Sequence, residues 1–360
     1  MKVETKRFKG SVAVVLGAAI ALGLSSRALA QGRPPAESVA TEQTNVAGTI
    51  AYPQPPAGFD PLAASDADLA QYGFPPRPDE WDAPDAFAHW QKMVSTPQKR
   101  LKHPLLQQTT IHNGAATALS EGETVDNGSL AVTSSNWSGY AAVGAAGTFK
   151  LNNAAIYSEY IVPISQQPFG VCTGSWDYSS QWVGFDGFNS GDVLQAGTEV
   201  DAYCSGNTKS TFYGPWYEWY PYAETRITNL TVAPGNVMGV EVWYTTATPS
   251  GHAYLINYST NTSVSVAFSP PSGTTFTGNS AEWIVEAPTV NGGLAALTNY
   301  VADPFNADYV HSNNVYYYPG SSPAGTTIYS ITMNAGSKPL SVVHLYGNDT
   351  LWFYNGNLPY

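Results

Sequence analysis

The chain has 360 residues and a formal net charge of −12, and Asp, Glu, Lys and Arg together make up only 12% of it, about half the share usual in soluble domains. Aromatic residues supply 13%, which is too much apolar and aromatic material for a disordered chain. An acidic balance with no basic block excludes nucleic acid as the main partner.

Residues 1–30 have the pattern of an export signal. Lys2, Lys6, Arg7 and Lys9 precede an apolar stretch at 11–24, and Ala28-Leu29-Ala30 is a small-x-small cleavage pattern. The stretch is short for a membrane anchor. The expectation is cleavage near Ala30-Gln31 and a secreted, extracellular protein with no membrane contact after signal removal.

Residues 31–130 are expected to be a leader, or propeptide. The part at 31–61 is rich in Pro, Ala and Gln and predicts extended or loose chain. Ser65 is placed to cap a short helix at 66–72. Pro84-Asp85 opens a stronger helix at 85–94, with Phe87, Trp90, Met93 and Val94 as its apolar stripe. Lys92, Lys99, Arg100, Lys102 and His103 then form a small basic run. It is either solvated linker or the part of a propeptide that sits against an acidic cleft. Residues 113–130, rich in Gly, Ala, Ser, Thr and Glu, resemble an exposed, cleavable linker.

Residues 131–360 hold four basic residues, Lys150, Lys209, Arg226 and Lys338, against 14 acidic ones. Runs rich in Val, Ile, Thr and Tyr at 154–162, 229–232, 238–245, 253–258, 263–268, 281–285, 327–333 and 341–346 predict strands. Many alternate polar and apolar, as half-buried antiparallel strands do. The expected fold is therefore all-β, one sandwich or barrel. Cys172 and Cys204 are expected to form a disulfide, as is natural in an exported protein.

Several chemistries lack their signatures. There is no HExxH helix, no GxxxxGK loop and no GxSxG elbow, and the two distant thiols have no His pattern that would make a metal site. What remains is a set of acids and amides inside aromatic segments. These are Gln181-Trp182-Val183-Gly184-Phe185-Asp186-Gly187 with Leu194-Gln195-Ala196-Gly197, then Trp216-Tyr217-Glu218-Trp219-Tyr220-Pro221, then Ala281-Glu282-Trp283-Ile284-Val285-Glu286. Strand alternation puts Glu282, Ile284 and Glu286 on one face and Ala281, Trp283 and Val285 on the other. The two Glu are then about 13 Å apart, too far to share a proton. Trp216, Glu218 and Tyr220 likewise share a face. Acids between aromatics fit a concave peptide- or sugar-lining surface, or else an outward sheet face with solvated acids.

These segments, with Ser135-Asn136-Trp137-Ser138-Gly139, resemble the glutamic peptidases, or eqolisins, in family order from residue 135 to about 305. The resemblance implies a concanavalin A-like sandwich of two large curved antiparallel sheets, and a secreted precursor activated at acid pH. It implies polypeptide substrates, the chain's own propeptide as partner, no cofactor and a monomer. By motif position it makes Gln195 and Glu286 the catalytic pair. Trp182, Asp186, Trp216 and Glu218 fall at positions that line or support the site, and Glu282 is a supporting residue or strand surface. In the implied mechanism Glu286 takes a proton from water as it attacks the carbonyl and returns it to the leaving nitrogen, while Gln195 stabilises the oxyanion. The alternative is a β-sandwich glycoside hydrolase using Glu218 and Glu286, or a carbohydrate-binding module. Precursor cleavage is expected somewhere in 104–134.

Overall fold

The computed structural model describes residues 41–360 except 97–98, 118, 121–122, 125–127, 152–153, 248–250, 322 and 357–360. The expected export signal and residues 31–40 lie outside these. Residues Val39–Tyr360 form one compact unit.

The described residues of the segment expected to be a leader are folded. Strand β1 (Thr49–Ala51) and strand β2 (Leu106–Gln108) flank two helices, α1 (Asp66–Gln71) and α2 (Pro84–Ser95). In α1 the Ser65 hydroxyl accepts from the Asp68 N–H, and Asp66 and Asp68 sit in the first turn, where the helix dipole favours acids. In α2 proline at the start costs no hydrogen bond. Ala86, Trp90, Met93 and Val94 recur at helical spacing and are buried. The loose chain expected at 31–61 is thus partly strand: β1 gains order by pairing with the edge strand at 262–268.

Apart from four short strands of two or three residues, the described strands beyond residue 134 are β3 (Trp137–Val143), β4 (Ala155–Ile161), β5 (Ser180–Phe185), β6 (Val193–Ser205), β7 (Thr208–Tyr220), β8 (Thr225–Ile227), β9 (Val237–Tyr244), β10 (Gly251–Asn257), β11 (Thr262–Phe268), β12 (Ser280–Glu286), β13 (Ala302–Ser312), β14 (Thr327–Ala335), β15 (Lys338–Tyr346) and β16 (Thr350–Asn355). Their antiparallel pairing runs β2-β8-β7-β6-β5-β12-β3-β14 in one layer. The β14–β15 hairpin leads into the other, β15-β16-β13-β4-β9-β10-β11-β1. The expected all-β architecture of large antiparallel sheets is therefore observed.

Alternation sorts each strand into two apolar sets. Val183, Phe185, Leu194, Ala196, Trp219, Trp283 and Val285 of the first layer share one core with Ile156, Val240, Leu255, Val266 and Phe305 of the second. The second layer's outer face is also apolar, with Tyr157, Trp243, Tyr254 and Tyr309. It is covered by the leader residues Leu69, Phe74, Ala86, Trp90 and Met93. The first layer's outer face carries Trp137, Trp182, Trp216 and Ile284, and this is where the candidate site lies.

One expected strand is absent. Residues 229–232 form a turn after β8, with Leu230 and Val232 buried. Asn229 accepts from the Leu105 N–H and donates to the His103 carbonyl, so its side chain binds the main chain that a neighbouring strand would otherwise bind. Residues beyond 305, where the family motifs end, supply β14 beside β3 and β13 beside β4. The Cys172–Cys204 disulfide is formed.

Candidate active site

Register places the predicted residues on one face. Gln195 on β6 is paired with Glu218 on β7 and Gly184 on β5, and Gly184 in turn with Glu282 on β12. Two residues along, Trp216, Gly197, Trp182 and Ile284 form the next row; beyond it Ser180 is paired with Glu286. Two glycines of this face are required by close approach. A Cβ on Gly184 would come within 2.8 Å of the Gln195 Cβ, and one on Gly197 within 2.7 Å of the Trp182 Cβ. Their absence of side chain leaves the space in which Gln195 and Trp182 lie.

Glu286 is buried and held from several sides. Oε2 accepts from Trp182 Nε1 at 3.0 Å, and Oε1 accepts from Asn136 Nδ2 at 3.2 Å and from the Gly114 N–H at 3.0 Å. Burial pushes its carboxyl well above the ordinary range, and these donors oppose the shift. Glu218 is also raised by burial. It accepts from the Asn113 N–H at 3.0 Å and the Asn113 side-chain amide at 3.2 Å, and His112 Nδ1 is 3.8 Å away. Gln195 Nε2 donates to the Asn113 carbonyl oxygen.

The remaining predicted residues are distributed around this centre. Trp216 is buried against Trp137 and Trp182. Glu282 is buried in the row of Gln195 and feels Asp186 and Asp192 rather than Glu286; burial first, then those two acids, raises its pKa. Asp186 does not touch the pair. Its carboxylate accepts from the N–H groups of Thr277, Gly278 and Asn279 at 2.8, 2.9 and 2.9 Å. It therefore supports the fold by fastening a loop to the end of β5, and it does not line the site.

Asn136 and Trp137 had no assigned role in the motif reading, although the Asn-Trp-Ser-Gly segment was part of the family resemblance. Nor did composition alone reveal the cluster beside Glu218, where Arg226 bonds Glu199 at 2.7 Å and Glu224 at 3.1 Å.

A second correction concerns the leader. Its basic run does not face the acidic cleft: Lys92 pairs with Glu159, His103 with Glu42, and Arg100 donates to the carbonyls of Pro53 and Tyr72. What crosses the cleft is uncharged main chain from the segment expected to be an exposed linker. Asn113 is fully buried, and residues 114–116 are partly buried. Trp137 Nε1 donates to the Gly114 carbonyl at 2.9 Å and Asn136 Nδ2 to the Ala115 carbonyl at 3.1 Å. The Ala116 N–H donates to the Gly187 carbonyl at 3.1 Å, and the Thr117 N–H to Asn136 Oδ1 at 2.9 Å. Peptide groups removed from water require such partners, and the cleft supplies them.

A two-layer β fold with an amide and a carboxylate converging on a bound peptide strand is the arrangement expected of a peptidase. The family model described as the Peptidase A4 family matches residues 135–351, and the chain belongs to that family. Over 176 residues it is 30% identical to aspergillopepsin-2 of Aspergillus niger, a stretch that spans 46% of this chain and 61% of that protein. It is 35% identical over 114 residues to scytalidopepsin B of Scytalidium lignicola, spanning 31% of this chain and 41% of that protein. The matched stretches thus span less than two thirds of either relative. Among solved structures it is similar to scytalido-glutamic peptidase with a transition state analog inhibitor (24% identity, TM-score 0.49, 61% of this chain and 98% of that chain). It is also similar to aspergilloglutamic peptidase from Aspergillus niger (26% identity, TM-score 0.42, 50% and 99%).

Proposed function

We propose that the protein is an acid-acting glutamic endopeptidase, exported as a precursor, in which Gln195 and Glu286 are the catalytic pair. The observation that carries this reading is the main-chain recognition in the cleft. Gln195, Glu286, Glu218, Asn136 and Trp137 each bond a main-chain atom of residues 113–115. A surface that binds peptide groups rather than particular side chains suits polypeptide substrates of many sequences. Membership of the peptidase family supports the same conclusion. Export agrees with the pattern of residues 1–30 and with the formed disulfide.

The chemistry follows from the geometry. When a water molecule stands beside a bound carbonyl, ionised Glu286 accepts its proton while the oxygen attacks carbon. Gln195 offers an N–H to the developing oxyanion and is uncharged at every pH. The protonated Glu286 then gives its proton to the leaving nitrogen, and one carboxyl serves first as base and then as acid. Solvent entry into the emptied cleft weakens the burial that raises Glu286, and Trp182 and Asn136 continue to favour its ionised form.

The test is digestion of casein and of a polysaccharide in acid by the wild type and by Glu286→Gln. Loss of casein digestion in the variant is expected, with no clearing of polysaccharide by either. Polysaccharide clearing, or a Glu286→Gln protein as active as the wild type, overturns the assignment.

A further inference from the structure

The leader strand does more than fill the cleft. The two halves of one peptide bond are divided between the two members of the pair: the carbonyl oxygen of Asn113 lies on Gln195 Nε2, and the N–H of Gly114 lies on Glu286 Oε1. We propose that the Asn113–Gly114 bond is the site at which the chain cuts itself, and that until this cut the strand keeps the cleft closed to other polypeptides. This deepens the peptidase reading above and rests on it.

Three observations support this bond rather than its neighbours. The Gly114 carbonyl is held by Trp137 Nε1 and the Ala115 carbonyl by Asn136 Nδ2, so neither of the next two bonds has its oxygen on Gln195. The strand is fastened on both sides. Upstream the Glu224 N–H donates to the Ile111 carbonyl at 3.0 Å, and 111–112 pairs with 289–290, just after Glu286. Downstream the Ser135 N–H donates to the Thr117 carbonyl at 3.0 Å. These anchors fix the register of 113–114 against the pair. Finally, the position after the bond is narrow, since a Cβ on Gly114 would meet Tyr220 at 3.3 Å. Glycine suits that position, and the Ala115 and Ala116 that follow are small.

The step balances with water alone. A water oxygen bonds to the Asn113 carbonyl carbon and its proton passes to Glu286. The carbon–nitrogen bond breaks, and the proton moves from Glu286 to the Gly114 nitrogen. The products are a carboxyl group on Asn113 and an amino terminus on Gly114.

The experiment incubates the full chain in steps from about pH 3.5 to 6, through and above the ordinary carboxylate range, because the step needs ionised Glu286 and burial raises that carboxyl. Amino-terminal sequencing and intact mass are followed with time, and casein is added to a parallel sample. The wild type is expected to yield a fragment beginning at Gly114, with casein digestion rising as it forms. Glu286→Gln is expected to stay whole, and Gly114→Pro, which removes the N–H on Glu286, to lack this cut. A first cut at a different bond overturns the inference while casein digestion leaves the peptidase reading standing. Scission at Asn113–Gly114 that persists in Glu286→Gln is spontaneous chemistry of an Asn-Gly pair and also overturns it. If neither the chain nor casein is cut, both the inference and the function it rests on fall.

Discussion

Trp182 donates its indole N–H to Glu286 Oε2 at 3.0 Å, while Gly114 and Asn136 occupy the other oxygen. Under the proposed precursor cleavage, Trp182 and Asn136 are the donors that would stay on Glu286. Both favour the ionised carboxylate, against a burial that raises its pKa.

Trp182→Phe keeps an aromatic ring beside Trp137 and removes this donor. Glu286 should then ionise at higher pH. Because the proposed base is the ionised form, the acid limb of kcat/KM moves upward. Near that limb the rate should fall roughly tenfold, from about 1.5 kcal/mol for a hydrogen bond to a charged group. A pH–rate profile superimposable on that of the wild type contradicts the role given to Trp182.

Stability should depend on pH in the opposite sense to most proteins. Glu241 and Asp303 are fully buried, and no carboxylate oxygen of either has a hydrogen-bond partner among the described residues. Burial raises both well above the ordinary range. Below the unfolded-state pKa both states are protonated and folding carries no penalty. As pH rises past it, the unfolded chain releases protons that the folded chain retains, so stability falls towards neutral pH. Glu241→Gln removes one such group. Its Tm should match the wild type near pH 3 and exceed it at pH 7 by about 3 °C, the shift that ~1 kcal/mol produces in a domain of this size. A wild-type Tm that rises from pH 4 to pH 8 contradicts this account.

The two helices before residue 96 are part of the fold. Trp90 is fully buried against the second layer, and its indole donates to the Pro75 carbonyl at 3.1 Å. Trp90→Ala should cost about 3–5 kcal/mol, measured by denaturant unfolding of the uncut chain. A loss below about 1 kcal/mol would show that the helices contribute little, a value typical of exposed sites.

Arg226 is the one basic residue of the cluster formed with Glu199 and Glu224. Arg226→Met leaves buried acids without their cation and should destabilise the protein by about 3–5 kcal/mol near neutral pH. In acid Glu224, whose carboxyl burial raises, is protonated and the loss should shrink. Equal destabilisation at pH 3 and pH 7, by thermal melting, contradicts this electrostatic role.

Much of the framework was legible in the sequence because its causes are local. Period-two alternation located most strands, and it put Glu218 and Glu286 on faces opposite Trp219 and Trp283, whereas Gln195 came from motif position alone. Ser65 and Pro84 marked the two leader helices. The turn at 229–232 was not legible, since its Val and Leu are buried as in a strand, and the chain is turned by contacts such as those of Asn229 with residues 103 and 105 and of the Leu230 N–H with the Ile227 carbonyl. The contents of the cleft were hidden for a different reason. Asn113, Gly114 and Ala115 are held mainly through main-chain atoms, which leave no signature in side-chain chemistry. Charge pointed instead to the basic run, whose partners Glu42 and Glu159 lie elsewhere. The role of Asp186 was not legible either, because its three main-chain donors come from residues about ninety positions later.

The central claim is that Gln195 and Glu286 act together on a peptide bond, and Gln195 tests it most directly because its replacement changes no charge. The measurement is kcat/KM for a peptide substrate in acid, using Gln195→Ala and wild-type chains cut at the same bond, with the amino-terminal segment left in the sample. A buried oxyanion donor is worth about 2.7–4 kcal/mol, so a loss on the order of a hundredfold or more is expected, carried by kcat. A variant within a few fold of the wild type would contradict the account.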